Sequence, residues 1–297
     1  METQSSTEFL IQFWGVRGSI PSPGAHTVRY GGNTSCVDMR IAGKHLIFDG
    51  GTGLRILGKA LLQNSPVEAD VFFTHYHWDH IQGIPFFFPA FSEADCFHIH
   101  GQVPPEDGLS MNMSEHFRER VLHINSPVPV ADIATQLKFH DLVCGEVFEL
   151  GDIHIETMPL NHPNGAMGYR VTWGGFTAVY CTDTEHFPDR LDENVLHLAR
   201  NADILIYDAM YTDEEYHNPK SPKVGWGHST WQEGVKVSQA AGVKQFVVFH
   251  HEPNHSDEFL DQVYQEVKSV MPNAVLAKER MVLDVTKAAQ GNNYWPE

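Results

Sequence analysis

The chain has 297 residues, 42% hydrophobic and 20% charged, the profile of an ordinary globular protein with a substantial core. Its net charge of −18, from 38 acidic and 20 basic residues, disfavours a large polyanionic partner such as long nucleic acid, but not a small anion held by metals. No apolar run approaches the roughly 20 residues that cross a bilayer, and the opening METQSSTEFL lacks the pattern of an export signal.

Four cysteines, Cys36, Cys96, Cys144 and Cys181, lie far apart with no Cys-x-x-Cys pair. They read as reduced, mostly buried thiols in a cytoplasmic protein, with no cysteine zinc cluster. No linker, repeat or low-complexity tract divides the chain, so a single domain over 1–297 is expected.

In chain order, EFLIQFWGV alternates apolar and polar residues and reads as a strand. A Gly/Pro-rich loop follows, then a hairpin of SCVDMRIAG and KHLIFDGG. From Thr52 to Gln63, Leu54, Leu57, Leu61 and Leu62 fall at helical spacing. DVFFTH is a short strand ending in histidines; CFHIHG is another, and SMNMSEHFRERVL reads as a helix.

LKFHDL, EVFEL and IHIETMPL are short strands, and GYRVTWGG with FTAVYCTD forms a hairpin across Gly174-Gly175. A helix near Arg190–Arg200 leads to the strand ADILIYDAM. STWQEGVKVSQAAG is a helix opened by Ser229 or Thr230 and closed by Gly242. KQFVVFH is a strand, HSDEFLDQVYQEVKSVM a long helix and MVLDV a closing strand. Strands in two batches without strict β-α alternation argue against a doubly wound parallel sheet and for two mixed sheets flanked by helices.

The segment His75-Tyr76-His77-Trp78-Asp79-His80 stands out. With 19 His and 18 Asp in the chain, the order His-x-His-x-Asp-His is expected by chance only roughly 0.005 times. Imidazole and carboxylate suit Zn²⁺, and also Mn²⁺ or Fe²⁺. On an extended turn His75 and His77 point one way and bind one ion, while Asp79 and His80 face a second.

HYHWDH followed by IQGIP resembles the signature of the metallo-β-lactamase-fold hydrolases, and PLNHPNGAMGYR, VYCTDT and VVFHHEP follow in that family's order. The resemblance implies a four-layer αββα sandwich, an α+β fold of two mixed sheets with metals at one edge. It implies that His75, His77 and His162 hold one ion, Asp79, His80 and His250 the other, and that Asp183 bridges them. His251 follows His250 directly; alignment on Pro253 favours His250, and strand alternation sends His251 to the other face.

FDGGTG, GGNTS and GHSTWQEG resemble the phosphodiesterase branch, which includes tRNA 3′-processing endonucleases and cyclic-nucleotide phosphodiesterases. In that branch His228 would sit near the scissile phosphate, with Asp208 of IYDAMY orienting and charging it. A metal-bridging hydroxide, oriented by Asp79, would then attack phosphorus, and His228 would protonate the leaving alkoxide. The family also suggests a homodimer.

Arg17, Asn33 and Arg170 could approach substrate or be structural. Lys220 and Lys223 read as a solvated loop. Trp14, Trp78, Trp226 and Trp231 are core or pocket candidates, and His98, His100, His116, His123 and His217 read as surface or hydrogen-bonded core residues. A tRNA endonuclease is a rival function, but residues 151–183 are too short for its basic arm and 102–135 are not basic enough to replace one. A thioester or β-lactam hydrolase is a second rival; the missing export signal disfavours a secreted lactamase, and His228 and Asp208 lack an obvious duty in a thioesterase. A catalytically silent metal-bound module is a third, disfavoured by the complete ligand set.

Overall fold

A computed structural model describes residues 8–102, 112–122, 137–290 and 294–295. His123 and most of 102–135 lie outside the described residues. The strands of the first half are β1 (Phe9–Gly15), β2 (Cys36–Ile41), β3 (Lys44–Phe48), β4 (Glu68–Phe72), β5 (Cys96–Gly101), β6 (Leu137–Asp141) and β7 (Val147–Leu150). Then come β8 (Ile153–Leu160), β9 (Ala166–Trp173), β10 (Phe176–Cys181), β11 (Ile204–Asp208), β12 (Gln245–Phe249), β13 (Val275–Leu276), β14 (Val282–Asp284) and β15 (Tyr294–Trp295). The α-helices are α1 (Gly53–Leu61), α2 (Trp78–Ile81), α3 (Met113–His116), α4 (Glu193–Ala199), α5 (Asp213–Tyr216), α6 (Trp231–Ala241) and α7 (Asp257–Val270).

Among the described residues the strands form two sheets, β15-β14-β1-β2-β3-β4-β5-β6 and β13-β12-β11-β10-β9-β8-β7. Both are mixed. The first turns parallel from β3 through β6, and the second is parallel from β10 through β13.

The layering comes from strand periodicity. In β11, Ile204 and Ile206 face the core between the sheets, while Leu205 and Tyr207 face the helix side. β12 repeats this with Val247 and Phe249 against Phe246 and Val248, and β3 with Leu46 and Phe48 against Ile47. Strands apolar on both faces must be covered on both faces. Helices α4, α6 and α7 cover the second sheet, and α1 the first, through Leu54, Leu57 and Leu61. The expected αββα sandwich is the fold.

Local signals account for the helix ends. The Thr230 hydroxyl accepts from the Glu233 amide to start α6, and Gly242 ends it at φ 71°. Some expectations shift. Leu62 lies in a short 3₁₀ turn after α1 and is exposed, because the helix has ended before it can turn inward. The helix expected over SMNMSEHFRERVL is α-helical only as α3 and continues as a π-helical segment, Phe117–Leu122. The short strands β13 and β15 lacked a readable pattern, and α2 lies within the histidine segment itself. No helix among the described residues is long and apolar enough to cross a membrane.

Candidate metal centre

The parallel runs of both sheets end on the same side of the sandwich, and residues at or just beyond those ends build the site. Asp49 follows β3, His75 comes three residues after β4, and His162 two after β8. Asp183 comes two after β10, Asp208 closes β11, and His250 follows β12. The carboxyl ends of strands are where open parallel sheets present ligands. Asp49, Asp183 and His250 adopt φ of 61°, 56° and 64°, a left-handed turn that side chains rarely take.

The structure brings all seven predicted ligand residues together. His75, His77 and His162 form one group, and Asp79, His80, Asp183 and His250 another. Asp183 stands between them. Its Oδ1 lies 3.7 Å from His75 Nε2 and 3.8 Å from His162 Nε2. Its Oδ2 lies 3.2 Å from His80 Nε2 and 3.3 Å from His250 Nε2. Asp79 Oδ2 closes the second group at 3.3 Å from His80 and 3.2 Å from His250.

Helix α2 explains the division of the motif. His75 and His77 lie on extended chain, and the turn Trp78–Ile81 then carries Asp79 and His80 to the neighbouring position.

The donor set suits divalent ions. His75 Nε2 and His80 Nε2 are buried and have no hydrogen-bond partner among the described residues, a costly state unless a cation takes the lone pair. His162 Nδ1–H donates to the Gly227 carbonyl at 2.8 Å, leaving Nε2 unprotonated and facing His77 Nδ1 at 3.0 Å. Burial, reinforced by neighbouring imidazoles, lowers the pKa of His75, His77 and His162, keeping them neutral as ligation requires. His80 differs: burial opposes its charge, but Asp183, Asp79 and Asp49 together raise its pKa. Burial also opposes ionisation of Asp79 and Asp183, yet the surrounding histidines hold both well below the usual carboxylate range.

Asp49 beneath the centre was not singled out from sequence. Its Oδ2 accepts from His80 Nδ1 at 2.8 Å and from the Tyr180 hydroxyl at 2.9 Å. The Thr74 hydroxyl donates to Asp49 Oδ1 at 3.0 Å and accepts from His75 Nδ1 at 3.0 Å. One carboxylate therefore sets the tautomer of a histidine in each group. Its visible signal was the FDGG motif after a strand, which marks the branch but assigns Asp49 itself no role.

Glu185 was missed as well. It accepts from the amides of Gly225 and Gly227 at 2.7 and 2.8 Å and so holds the turn that carries His228. Gly227 in that turn has φ 85°, and a Cβ there would lie 2.3 Å from His162 Nδ1.

His228 and Asp208 are adjacent, with Nδ1 2.8 Å from Asp208 Oδ2. Asp208 is fully buried and also accepts from the amides of Thr184 and Met210 at 3.3 and 3.1 Å. Burial works against a charged His228, but Asp208 outweighs it and pushes the imidazole up to about 9. His228 Nδ1 is also 3.9 Å from Asp183 Oδ1, so the pair lies against the centre. His228 further completes three-residue groups with His162 and Asp183, and with Asp208 and His250, at ligating separations.

His251 turns away: its Nε2–H donates to the Ala277 carbonyl at 2.8 Å, and burial, with Arg17 nearby, lowers its pKa to about 3. Arg17 is buried and clasps the carbonyls of Gly31, Glu252 and His255. Arg170 holds the Leu198 and Arg200 carbonyls, and Asn33 binds Glu279. All three side chains are thus engaged within the fold.

Trp14 and Trp231 pack in the core, while Trp78 and Trp226 are more than half exposed beside His77 and Gly227. Lys223 is not simply solvated, since its Nζ lies 4.1 Å over the Trp226 ring. The four thiols are free; Cys36 and Cys181 are buried, and Cys96 and Cys144 are half-buried.

A sequence model of the beta-lactamase superfamily domain matches residues 44–251. The chain belongs to this superfamily of metallo-β-lactamase-fold hydrolases. Ribonuclease Z from Archaeoglobus fulgidus is 25% identical, the match covering 94% of this chain and 98% of the relative. Among solved structures, the metallo-β-lactamase fold protein YhfI from Bacillus subtilis has a TM-score of 0.68 at 20% identity, covering 93% of this chain and 99% of that one. A diphosphatase from the PhnP family has a TM-score of 0.64 at 20% identity, with coverage of 93% and 97%. The fold implies divalent metal ions, and the two His/Asp groups are where this chain can hold them.

Proposed function

We propose that this chain is a two-metal phosphodiesterase acting on small phosphodiesters, cyclic mono- or dinucleotides among them. The observation that carries the reading is the buried His228–Asp208 pair, 2.8 Å apart, set against the carboxylate that joins the two ligand groups. An alkoxide leaving from phosphorus needs a proton, whereas a thiolate leaving from a thioester does not.

His75, His77 and His162 would hold one ion and Asp79, His80 and His250 the other, with Asp183 placed between the two groups. Divalent ions bound there, Zn²⁺ being the ion this donor set suits, would supply a nucleophile from water at neutral pH and neutralise charge on the phosphoryl group. Asp79 is fixed by the Ser19 amide, which donates to Oδ2 at 2.7 Å, and would orient the attacking water by accepting a hydrogen bond from it. With Nδ1 committed to Asp208, His228 uses Nε2 to stabilise the equatorial oxygens and to deliver a proton to the leaving group.

Three features support a small substrate. The net charge is −18. The β8–β9 and β9–β10 connections are short, so 151–183 carry no arm that could grip a folded RNA. Exposed Trp78 and Trp226 offer stacking faces for a base, and Lys223 over Trp226 offers a cation for a second phosphate. Cleavage of tRNA 3′ ends is the second reading, favoured by full-length relatives named ribonuclease Z.

The test is the purified chain with its metal content measured, assayed on 2′,3′- and 3′,5′-cyclic nucleotides, linear and cyclic dinucleotides, labelled pre-tRNA, a β-lactam and a thioester. Turnover of a small phosphodiester is expected. Efficient pre-tRNA cleavage at moderate salt would replace this reading with the second one. Turnover of only the β-lactam or thioester would overturn both.

A further inference from the structure

We propose that Glu68, Cys96 and His98 form a third divalent-metal site, of the zinc class, at the end of the first sheet opposite the catalytic centre. Glu68 opens β4 and is paired in register with Cys96, the first residue of β5. Cys96, His98 and His100 alternate along β5 and so share one face. That face looks toward the second sheet, because His100 stacks on Phe72 of the inter-sheet core at 4.5 Å. His75 lies seven residues beyond Glu68, about 20 Å away along extended chain.

The three ligand atoms lie within 4.8 Å of one another. Cys96 Sγ is 3.9 Å from His98 Nε2, and His98 Nε2 is 3.3 Å from Glu68 Oε1. A tetrahedral zinc ion, with bonds of ~2.3 Å to sulfur and ~2.1 Å to nitrogen and oxygen, sets the S···N edge at about 3.6 Å and the N···O edge at about 3.4 Å. These two separations need only a few tenths of an ångström of adjustment, and the Cys96 Sγ to Glu68 carboxylate separation lies within 4.8 Å.

The surroundings complete the arrangement. His98 Nδ1 lies 2.9 Å from His140 Nε2 on β6. With Nε2 on a metal the proton resides on Nδ1 and donates to His140, the outer hydrogen bond that fixes a ligating imidazole. His140 in turn stacks on His100 at 4.5 Å, and His100 Nε2 is 2.7 Å from Asp70. Neighbours on three adjacent strands thereby hold His98 in its orientation.

A thiolate, an imidazole and a carboxylate select Zn²⁺ or Co²⁺ over Mg²⁺ and Ca²⁺, which take oxygen ligands. Three protein ligands leave a fourth position for water, and exposed Glu68 gives the ion a path from solvent. This is a single-thiolate site, distinct from the cysteine cluster that the spacing of the four cysteines excludes.

The catalytic groups contain no thiol, so the two kinds of site can be read separately. Full-length protein stripped with a chelator is titrated with Co²⁺ while thiolate-to-cobalt charge transfer is followed in the near ultraviolet. One equivalent of this band is expected, displaced by Zn²⁺. It should vanish in Cys96→Ser and need at least tenfold more Co²⁺ in His98→Ala, and His140→Phe should weaken binding about 10–100-fold. Phosphodiester turnover should be unchanged in each variant. No band in the wild type, or a band that survives in Cys96→Ser, overturns the proposal.

Alkylation of the wild-type protein gives a readout independent of variant folding. Zn²⁺ should slow iodoacetamide modification of Cys96, located by peptide mass; equal rates with and without Zn²⁺ overturn the site. Neither measurement depends on the substrate assigned to the catalytic centre.

Discussion

Replacing His228 by Ala separates the chemistry of this centre from its metal binding. The imidazole is 9% exposed, and its Nδ1 is taken by Asp208 at 2.8 Å. Asp208 keeps the amides of Thr184 and Met210 after the substitution, so the fold should hold. Loss of one preorganised donor at a developing oxyanion costs about 10²–10³-fold in kcat, or about 2.7–4 kcal/mol of transition-state stabilisation.

The assay is a leaving-group series on a common phosphodiester: an alkyl ester, a phenyl ester and a p-nitrophenyl ester, with metal content measured beside each rate. An alkoxide needs the proton and a nitrophenolate does not. The deficit should therefore approach about 10³-fold for the alkyl ester and fall to about tenfold for the nitrophenyl ester. Metal content should equal that of the wild type. An equal deficit across the series would remove the proton-donor role. Loss of an ion would make His228 a ligand, which its separations from His162 and Asp183 also permit.

Replacing Asp183 by Ala should abolish both metal retention and turnover, checked by elemental analysis of the dialysed protein, since one oxygen faces each group. In Asp49→Asn, metal affinity should fall about 10–100-fold while excess Zn²⁺ restores much of the activity, because the residue orients His80 directly and His75 through Thr74 without belonging to either ligand group. His250→Ala should lose metal, while His251→Gln should keep metal and activity but unfold at lower urea; retention of metal in His250→Ala would reverse the assignment. Gly227→Ala should lower the stability of the metal-free protein by about 1–3 kcal/mol in urea, because it forces alanine to φ 85° and a methyl against the His162 ring.

Much of this was legible in the order of residues. Short-range rules need only neighbours, so most of the strands, a helix start at Ser229 or Thr230, the stop at Gly242 and the hairpin across Gly174-Gly175 read correctly. The His-x-His-x-Asp-His segment announced metal because chance does not assemble it. His162, Asp183, His228 and His250 came from resemblance to a family, not from any local pattern.

The tertiary structure decided the rest, and the reason is distance along the chain. Asp49 and His80 are 31 residues apart, and nothing local to FDGG says that its carboxylate will sit under two histidines. Arg17 reads equally as a substrate contact or a structural residue until the fold places three carbonyls around it. His250 and His251 are equivalent in composition; the left-handed turn at His250 and the Ala277 carbonyl separate them. Glu68, Cys96 and His98 look unrelated in sequence and meet only because β4 and β5 pair in register. The sequence by itself determined the element types and the presence of a metal motif, which depend on local propensity and periodicity. Which oxygen of Asp183 faces which histidines, and what anchors His228, required two sheets to bring their strand ends together.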